Sequence, residues 1–241
     1  DTPIQSAVDT GLNAIFSTYT SFGYGDAVWL AAADSVSYYA DCNDYGICGF
    51  VDNLIGQALS QSYSCSSTIK IRSQNMTVAQ HAAACDAMGA EEGLFHTKLA
   101  TNNTPVADDN NSFLQVNIFD SSDDYGKYAG VIFGINTNNG GMYLEGLPHV
   151  EGNHAEFVAY QKKGQIWNLR HEYIHYLDGR FNMYGDFCSS LHDSHSAPEY
   201  CPKPAPLLPH LVWWSEGIAE YIAQGDNNSR AIKSGIKQSY K

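Results

Sequence analysis

The chain has 241 residues, 44% of them hydrophobic, and carries a formal net charge of −13. This length is enough for one large domain or two small ones with a sizeable buried core. The acidic balance excludes nucleic acid and anionic membranes as expected partners, because both are bound through Lys and Arg side chains. No apolar run approaches the roughly 18 residues of a membrane-spanning helix, so we predict no membrane segment.

The cysteine content favours an oxidising compartment. Six cysteines occur, and none forms a CxxC pair, which disfavours zinc ribbons and thioredoxin-like redox sites. Pairing of sequence neighbours predicts three disulfides, since each pair is isolated from the others along the chain: Cys42–Cys48, Cys65–Cys85 and Cys188–Cys201. Buried free thiols are the alternative. Disulfides in an acidic chain with few lysines predict a secreted, extracellular protein, whose leader we expect to have been removed before Asp1.

The first hundred residues are predicted to be mainly helical. An acidic residue, Asp26, is suited to cap the second helix, and Thr77 is suited to cap the fourth. The alternation over residues 68–72 predicts a strand with one solvated face. The predicted helices are 4–18, 26–40, 51–62, 77–85 and 91–101.

The remainder alternates strands, turns and two helices, which makes the predicted fold class α+β. A turn is expected at 136–141, where a Gly-Gly pair either allows another backbone to approach closely or simply forms a hairpin. A proline-rich loop from 179 to about 210 separates a helix around residue 171 from a last helix over 211–224. The predicted strands are 114–119, 131–135, 142–145 and 157–160.

The stretch His171-Glu172-Tyr173-Ile174-His175 is a candidate metal-binding motif. On a helix, His171 and His175 lie on one face, one turn apart, with Glu172 beside the open position of a bound zinc ion. The longer metzincin pattern fails, because Asp178 and Phe181 stand where it requires Gly and a third His.

The last helix carries the candidates for a third ligand. Glu216 and Glu220 lie one turn apart and share a face. Carboxylates on an otherwise apolar helix are costly to bury unless they meet a metal or another partner. The alternative is two solvated glutamates, which the neighbouring Trp213 and Trp214 disfavour.

Three motifs together resemble the peptidase domain of the secreted bacterial collagenases, and the vibrio-type branch more than the clostridial one. They occupy 171–181, 213–220 and 139–145, and the resemblance covers roughly residues 68–225. It implies a thermolysin-like (gluzincin) fold, with an N-terminal mixed sheet, a substrate-binding edge strand, an active-site helix and a glutamate helix. It also implies one metallopeptidase domain over 1–241, in which 1–60 form a helical junction or extension and 61–241 the catalytic core.

The resemblance implies roles for four residues of the first two motifs. His171, His175 and Glu216 would bind a catalytic zinc ion, and Glu172 would be the general base that takes a proton from a zinc-activated water. Glu220 is interpreted as accepting the other N–H of a ligand histidine, or as the third ligand in place of Glu216. Asp178 is a further candidate for such an outer contact, or a solvated residue at the end of the helix.

The third motif implies two more sites. A substrate chain would lie extended along the edge formed by Gly140, Gly141, Met142 and Tyr143. Glu145 would bind a structural calcium ion near the zinc, together with carbonyl oxygens of the loop around Met183 and Gly185.

The implied function is that of a secreted, monomeric zinc metalloendopeptidase that hydrolyses collagen, gelatin and collagen-derived peptides. In that family the residues that stabilise the oxyanion lie well beyond the glutamate helix. Since the sequence ends at Lys241, we expect either a substitute within a shortened tail or an incomplete site. Two alternatives stay open: a gluzincin endopeptidase without collagen preference, and a domain that binds peptides without cutting them.

Overall fold

A computed structural model describes residues 3–107, 109–182 and 212–225. In these ranges the chain contains eight α-helices, with a 3₁₀ turn over Cys42–Tyr45 and a π-helical turn over Tyr125–Ala129. None of the described helices combines the length and the apolar character needed to cross a bilayer. The helices are α1 Pro3–Thr18, α2 Asp26–Tyr39, α3 Phe50–Ala58, α4 Val78–Leu99, α5 Ser122–Asp124, α6 Gly130–Phe133, α7 Leu169–Phe181 and α8 Val212–Gln224.

The described strands form a mixed sheet, which confirms the α+β class. Their order is β1-β2-β3-β5-β4, and β6 pairs with the end of β5. The pairs β2–β3 and β3–β5 are parallel, whereas β1 and β4 run antiparallel to their neighbours. In this part of the chain β4 is an edge strand, as expected for the 139–145 motif. The strands are β1 Gln61–Ser64, β2 Ile69–Ser73, β3 Leu114–Phe119, β4 Gly141–Leu144, β5 Ala155–Lys162 and β6 Gln165–Ile166.

Helices cover both faces of the sheet. On one face, Ile71 and Phe157 pack with Phe95 of α4 and Ile174 of α7 in a core that also includes α8. On the other face, residues from α1 to α3 form a second core with strands β3, β4 and β5. The alternation predicted for β2 is confirmed, because Ile69 and Ile71 are buried while the intervening Lys70 is only half-buried. The helices predicted over 4–18 and 26–40 are confirmed as well.

The strand predicted over 131–135 is wrong. Residues 131–133 belong to a helical run that begins after Ser121, whose hydroxyl accepts a hydrogen bond from the backbone N–H of Asp124. The run ends at Gly134, which has a positive φ of 66°. The β-branched residues that favoured a strand pack instead against the second core, so tertiary contacts override the local preference.

Other boundaries also differ from the sequence prediction. The helices predicted over 77–85 and 91–101 are one continuous helix, α4, which is capped by Thr77 as predicted. The helix predicted over 51–62 ends at Ala58, because the next residues pair with β2 as strand β1. The N-cap of α2 is Gly25 rather than Asp26. Asp26 is the first helical residue, and its carboxylate accepts hydrogen bonds from Tyr128 and Lys127.

Two of the three predicted disulfides are confirmed. Cys42 is bonded to Cys48, and Cys65 is bonded to Cys85. The third predicted pair, Cys188 with Cys201, lies outside the described residues.

Removal of the Cys65–Cys85 bond should lower the free energy of unfolding by about 3 kcal/mol, because its 20-residue loop regains entropy in the unfolded chain. Cys65→Ala with Cys85→Ala is the test variant. The matched control is Cys42→Ala with Cys48→Ala, which opens a loop of 6 residues and should lose about 2 kcal/mol. Urea unfolding measures both, and a larger loss for the control would contradict the entropic explanation.

Candidate metal centre

The packing of helices α7 and α8 brings the motif residues together. Tyr173, Ile174 and Leu177 of α7 are buried in the first core, which turns the opposite face of the helix towards α8. Ala219 and Ile222 of α8 are buried in the same core. Because each helix is anchored by its apolar face, their remaining faces meet and place histidines opposite glutamates.

Three side chains form a compact set of metal donors. Nε2 of His171 lies 3.2 Å from Nε2 of His175, and 3.2 Å from Oε2 of Glu216. Oε1 of Glu216 lies 3.4 Å from Nε2 of His175. Ligand atoms about 2.1 Å from a tetrahedral zinc ion would be about 3.4 Å apart. The three side chains are therefore close enough together to hold one metal ion.

The charges at this cluster favour an ionised Glu216 beside the histidines. Burial alone raises the pKa of Glu216, but hydrogen bonds and charge from His171 and His175 outweigh it and hold the pKa well below its ordinary value. Burial alone lowers the pKa of His171, yet the carboxylates of Glu216, Glu172 and Glu220 raise it above the ordinary value. This concentration of negative charge suits a divalent cation.

Glu172 is buried next to the donors and is held by the edge strand. Its exposed fraction is 7%. Burial raises the pKa of Glu172, while His175 and His171 oppose the rise. The backbone N–H of Tyr143 in β4 donates to the Glu172 carboxylate. A fixed carboxylate with a raised pKa is well suited to accept a proton from a neighbouring water.

The outer nitrogen of each histidine has a partner on α8. Nδ1 of His171 lies 3.5 Å from Oε2 of Glu220. Nδ1 of His175 lies 3.2 Å from the hydroxyl of Ser215, which is 1% exposed. Sequence reasoning missed Ser215. Its only signal is a small polar residue directly before Glu216 in an apolar helix.

Asp178 contributes through the contact between the two helices. Its carboxylate, fully buried, accepts hydrogen bonds from the indole N–H of Trp214 at 3.1 Å and from the side-chain amide of Asn182 at 2.8 Å. Burial raises the pKa of Asp178, and the two hydrogen bonds oppose that rise. Asp178 therefore joins α7 to α8 close to His175, whose own outer nitrogen is paired with Ser215.

Side chains of the protein itself occupy the space beside Gly140, which precedes β4, and beside Gly141, which begins it. A methyl group added at Gly140 would overlap the indole of Trp167, and one added at Gly141 would lie 3.3 Å from Phe157. Met142 packs with the second core and Tyr143 with the first. The side chains of this segment are thus committed to packing, so a ligand at this edge would meet mainly its backbone.

Of the residues expected to bind calcium, Glu145 is among those that the structure describes. Glu145 follows β4, is 5% exposed, and its carbonyl oxygen accepts a hydrogen bond from Asn153 at 2.9 Å. Met183 and Gly185 lie outside the described residues. Among the described residues, the one other cluster of metal-ligand type is Asp41 with Cys42 and Cys48, whose two cysteines form a disulfide.

A paired-histidine helix, a buried glutamate within it and a carboxylate from the next helix define the class of site as that of a metallopeptidase. The chain belongs to the collagenase family: the family model Peptidase_M9, described as Collagenase, matches residues 15–241. The match begins well before residue 68, so the N-terminal helices belong to the family region too.

Curated relatives agree with this membership. A microbial collagenase of Vibrio alginolyticus is 55% identical over 95% of the chain, and one of Vibrio vulnificus is 37% identical over 95%. Collagenase ColA of Clostridium perfringens is 30% identical over 50% of the chain and covers 9% of its own length. The predicted closeness to the vibrio-type branch is confirmed. The chain spans 27% of the length of each of these two Vibrio relatives.

Proposed function

We propose that this chain is the catalytic domain of a secreted zinc metalloendopeptidase that cleaves collagen, gelatin and collagen-derived peptides. The observation that carries the proposal is the close approach of three side chains, two imidazole nitrogens and the carboxylate oxygens of Glu216 at 3.2–3.4 Å, with buried Glu172 beside them. Nitrogen and oxygen donors at this spacing suit zinc. Family membership supports the collagen substrate, and the printed names of the relatives describe them as collagenases.

In the proposed mechanism each residue of the centre has a separate task. His171, His175 and Glu216 would hold zinc, which activates water and polarises a peptide carbonyl when it is bound. Glu172 accepts a proton from the attacking water and then passes it to the nitrogen of the leaving amine. Glu220 and Ser215 hold the two imidazoles in orientation through their outer nitrogens.

The edge strand β4 is the proposed binding site for the substrate backbone. An extended peptide added beside β4 would form main-chain hydrogen bonds, as in other strand-addition complexes. The hydrogen bond from Tyr143 to Glu172 supports this role, because it fixes the general base relative to the strand. We further propose a thermolysin-like (gluzincin) architecture in one monomeric domain, which the mixed sheet, the edge strand and the two ligand helices support.

A structural calcium ion near Glu145 is part of the same proposal. Glu145 is a buried carboxylate at the end of the edge strand, and carboxylate and carbonyl oxygens are the ligands that calcium prefers. Calcium binding would raise the melting temperature of the chain, and Glu145→Gln should remove that increase. An equal increase in both proteins would exclude Glu145 as a ligand.

The proposed activity is tested with a chelator and a set of peptides. The 241-residue chain should cleave a fluorogenic collagen-like peptide, lose that activity with 1,10-phenanthroline, and regain it on addition of one equivalent of zinc. Absence of cleavage with zinc bound would favour a peptide-binding domain. Cleavage without preference for glycine-rich collagen repeats would favour a general endopeptidase of the same architecture.

A further inference from the structure

A cavity of about 700 Å³ lies beside the metal centre and reaches His171 and Glu220. Its walls come from α4, from the β5–β6 hairpin, from the first turn of α7 and from the end of α8. Trp167, four residues before His171 in the chain, lines this cavity and is 38% exposed. The cavity therefore adjoins the donor cluster and is bordered by a large, partly solvent-exposed aromatic side chain.

Trp167 also contacts the start of the substrate edge. Its indole occupies the space that a side chain at Gly140 would need, directly before β4. Its backbone N–H donates to the carbonyl oxygen of Tyr160 at 2.9 Å, and the ammonium group of Lys162 lies 3.5 Å from the centre of its ring. The indole is thus held between the edge strand and the cavity, so a peptide extended along β4 would pass it at this end.

The chemistry of the cavity favours a neutral, apolar side chain. One wall consists of small alanine side chains of α4, and Ile166 and Leu169 add branched apolar surface. The glutamines around it are uncharged. One guanidinium group and one carboxylate border the cavity, and each already has a partner. Arg170 lies 3.2 Å from Glu91, and Glu220 lies 3.5 Å from His171. Lys162 lies on the ring of Trp167 but does not line the cavity. An ionised substrate side chain inside the cavity would therefore lose hydration and meet only charged groups that are already paired.

We propose that this cavity, with Trp167 as its aromatic wall, is a side-chain subsite that selects a neutral apolar residue of the substrate, proline included. Flat apolar rings and proline pack well against indole faces, which is how aromatic grooves recognise proline-rich segments. The inference rests on the proposed function, because it places the substrate backbone along β4. It assigns Trp167 to substrate selection, while the metal ligands and Glu172 keep their separate tasks.

The test compares peptides that differ at one position at a time on either side of the cleaved bond. For the wild-type chain, one position should prefer proline or leucine over aspartate. Trp167→Ala should reduce that preference about tenfold, mainly through KM, because removal of an apolar pocket wall typically changes discrimination by this order. Trp167→Phe should restore most of it. Zinc content should remain one per chain in both variants.

Two further variants separate a subsite from a general structural role. Tyr221→Ala is the matched control: Tyr221 is 41% exposed, lies under a lysine as Trp167 does, and is on α8 outside the cavity lining. It should leave the preference unchanged. Gly140→Ala should displace the indole and reduce the same preference as Trp167→Ala. An unchanged preference in Trp167→Ala, or an equal loss in Tyr221→Ala, would overturn the proposal.

Binding measurements keep this result distinct from the proposed activity. Dissociation constants of the same peptides are measured with the Glu172→Gln chain and with Glu172→Gln combined with Trp167→Ala. A roughly tenfold weaker binding of the proline and leucine peptides in the double variant supports the subsite whether or not the wild-type chain cleaves them. Equal binding by both variants refutes the subsite, whereas a wild-type chain that binds but never cleaves refutes the peptidase function alone.

Discussion

Glu172→Gln should lower kcat/KM for peptide hydrolysis by about a thousandfold, within the range that a general base contributes. The glutamine side chain has nearly the same shape and can still accept the hydrogen bond from Tyr143, but it cannot take a proton from water. Because Glu172 is not one of the three donors, zinc content should stay at one per chain. Initial rates with a fluorogenic peptide and metal analysis of the same preparation measure both quantities.

The control for this variant is Glu151→Gln, the same chemical change at an exposed position. It should keep wild-type kcat/KM and zinc content. Full activity in Glu172→Gln would rule out its role as the general base. Loss of zinc in Glu172→Gln would instead indicate that Glu172 supports the metal site, so the two measurements are needed together.

Glu216→Ala should raise the dissociation constant for zinc by more than about 100-fold and abolish hydrolysis, because it removes the carboxylate whose two oxygens lie 3.2 Å from Nε2 of His171 and 3.4 Å from Nε2 of His175. The matched variant is Glu220→Gln, one turn further along the same helix. Glu220 contacts the outer nitrogen of His171, so its loss should weaken zinc binding only about 10–100-fold. Competition with a chromophoric chelator measures both constants.

The relative size of the two losses of zinc affinity shows whether Glu216 or Glu220 is the third ligand. A larger loss in Glu220→Gln than in Glu216→Ala would assign the third ligand to Glu220. Equal, small losses in both would argue against a zinc site between α7 and α8. Far-ultraviolet circular dichroism of each variant checks that a loss of binding does not arise from loss of the helices.

The parts of the site that follow from local spacing were predictable from the sequence. His171 and His175 share a helix face because of the helical repeat, and Glu216 shares a face with Glu220 for the same reason. The spacing of residues along the chain does not predict which side chains of separate helices and strands come into contact. The hydrogen bond from Tyr143 to Glu172, the pairing of Ser215 with His175 and the overlap of Trp167 with Gly140 each depend on tertiary packing.

The same division holds for the fold. Strands β2 and β3 were predictable because alternating or continuous apolar residues mark them. The segment 131–135 has equally strong local signals for a strand, but a helical run that begins after Ser121 extends into it and ends at Gly134. The short strands β1 and β6 have little pattern of their own, and they form because β2 and β5 offer hydrogen-bonding partners.

The second core, shared by α1–α3 and the sheet, has a consequence for how the domain can be divided. Met142 and Leu144 of the edge strand belong to that core, together with Trp29 of α2 and Leu54 of α3. A fragment that began at residue 61 would retain every proposed zinc ligand, yet it would uncover the rear of the strand that positions Glu172. We therefore expect that a fragment with the proposed activity needs the N-terminal helices, because they cover the rear face of β4.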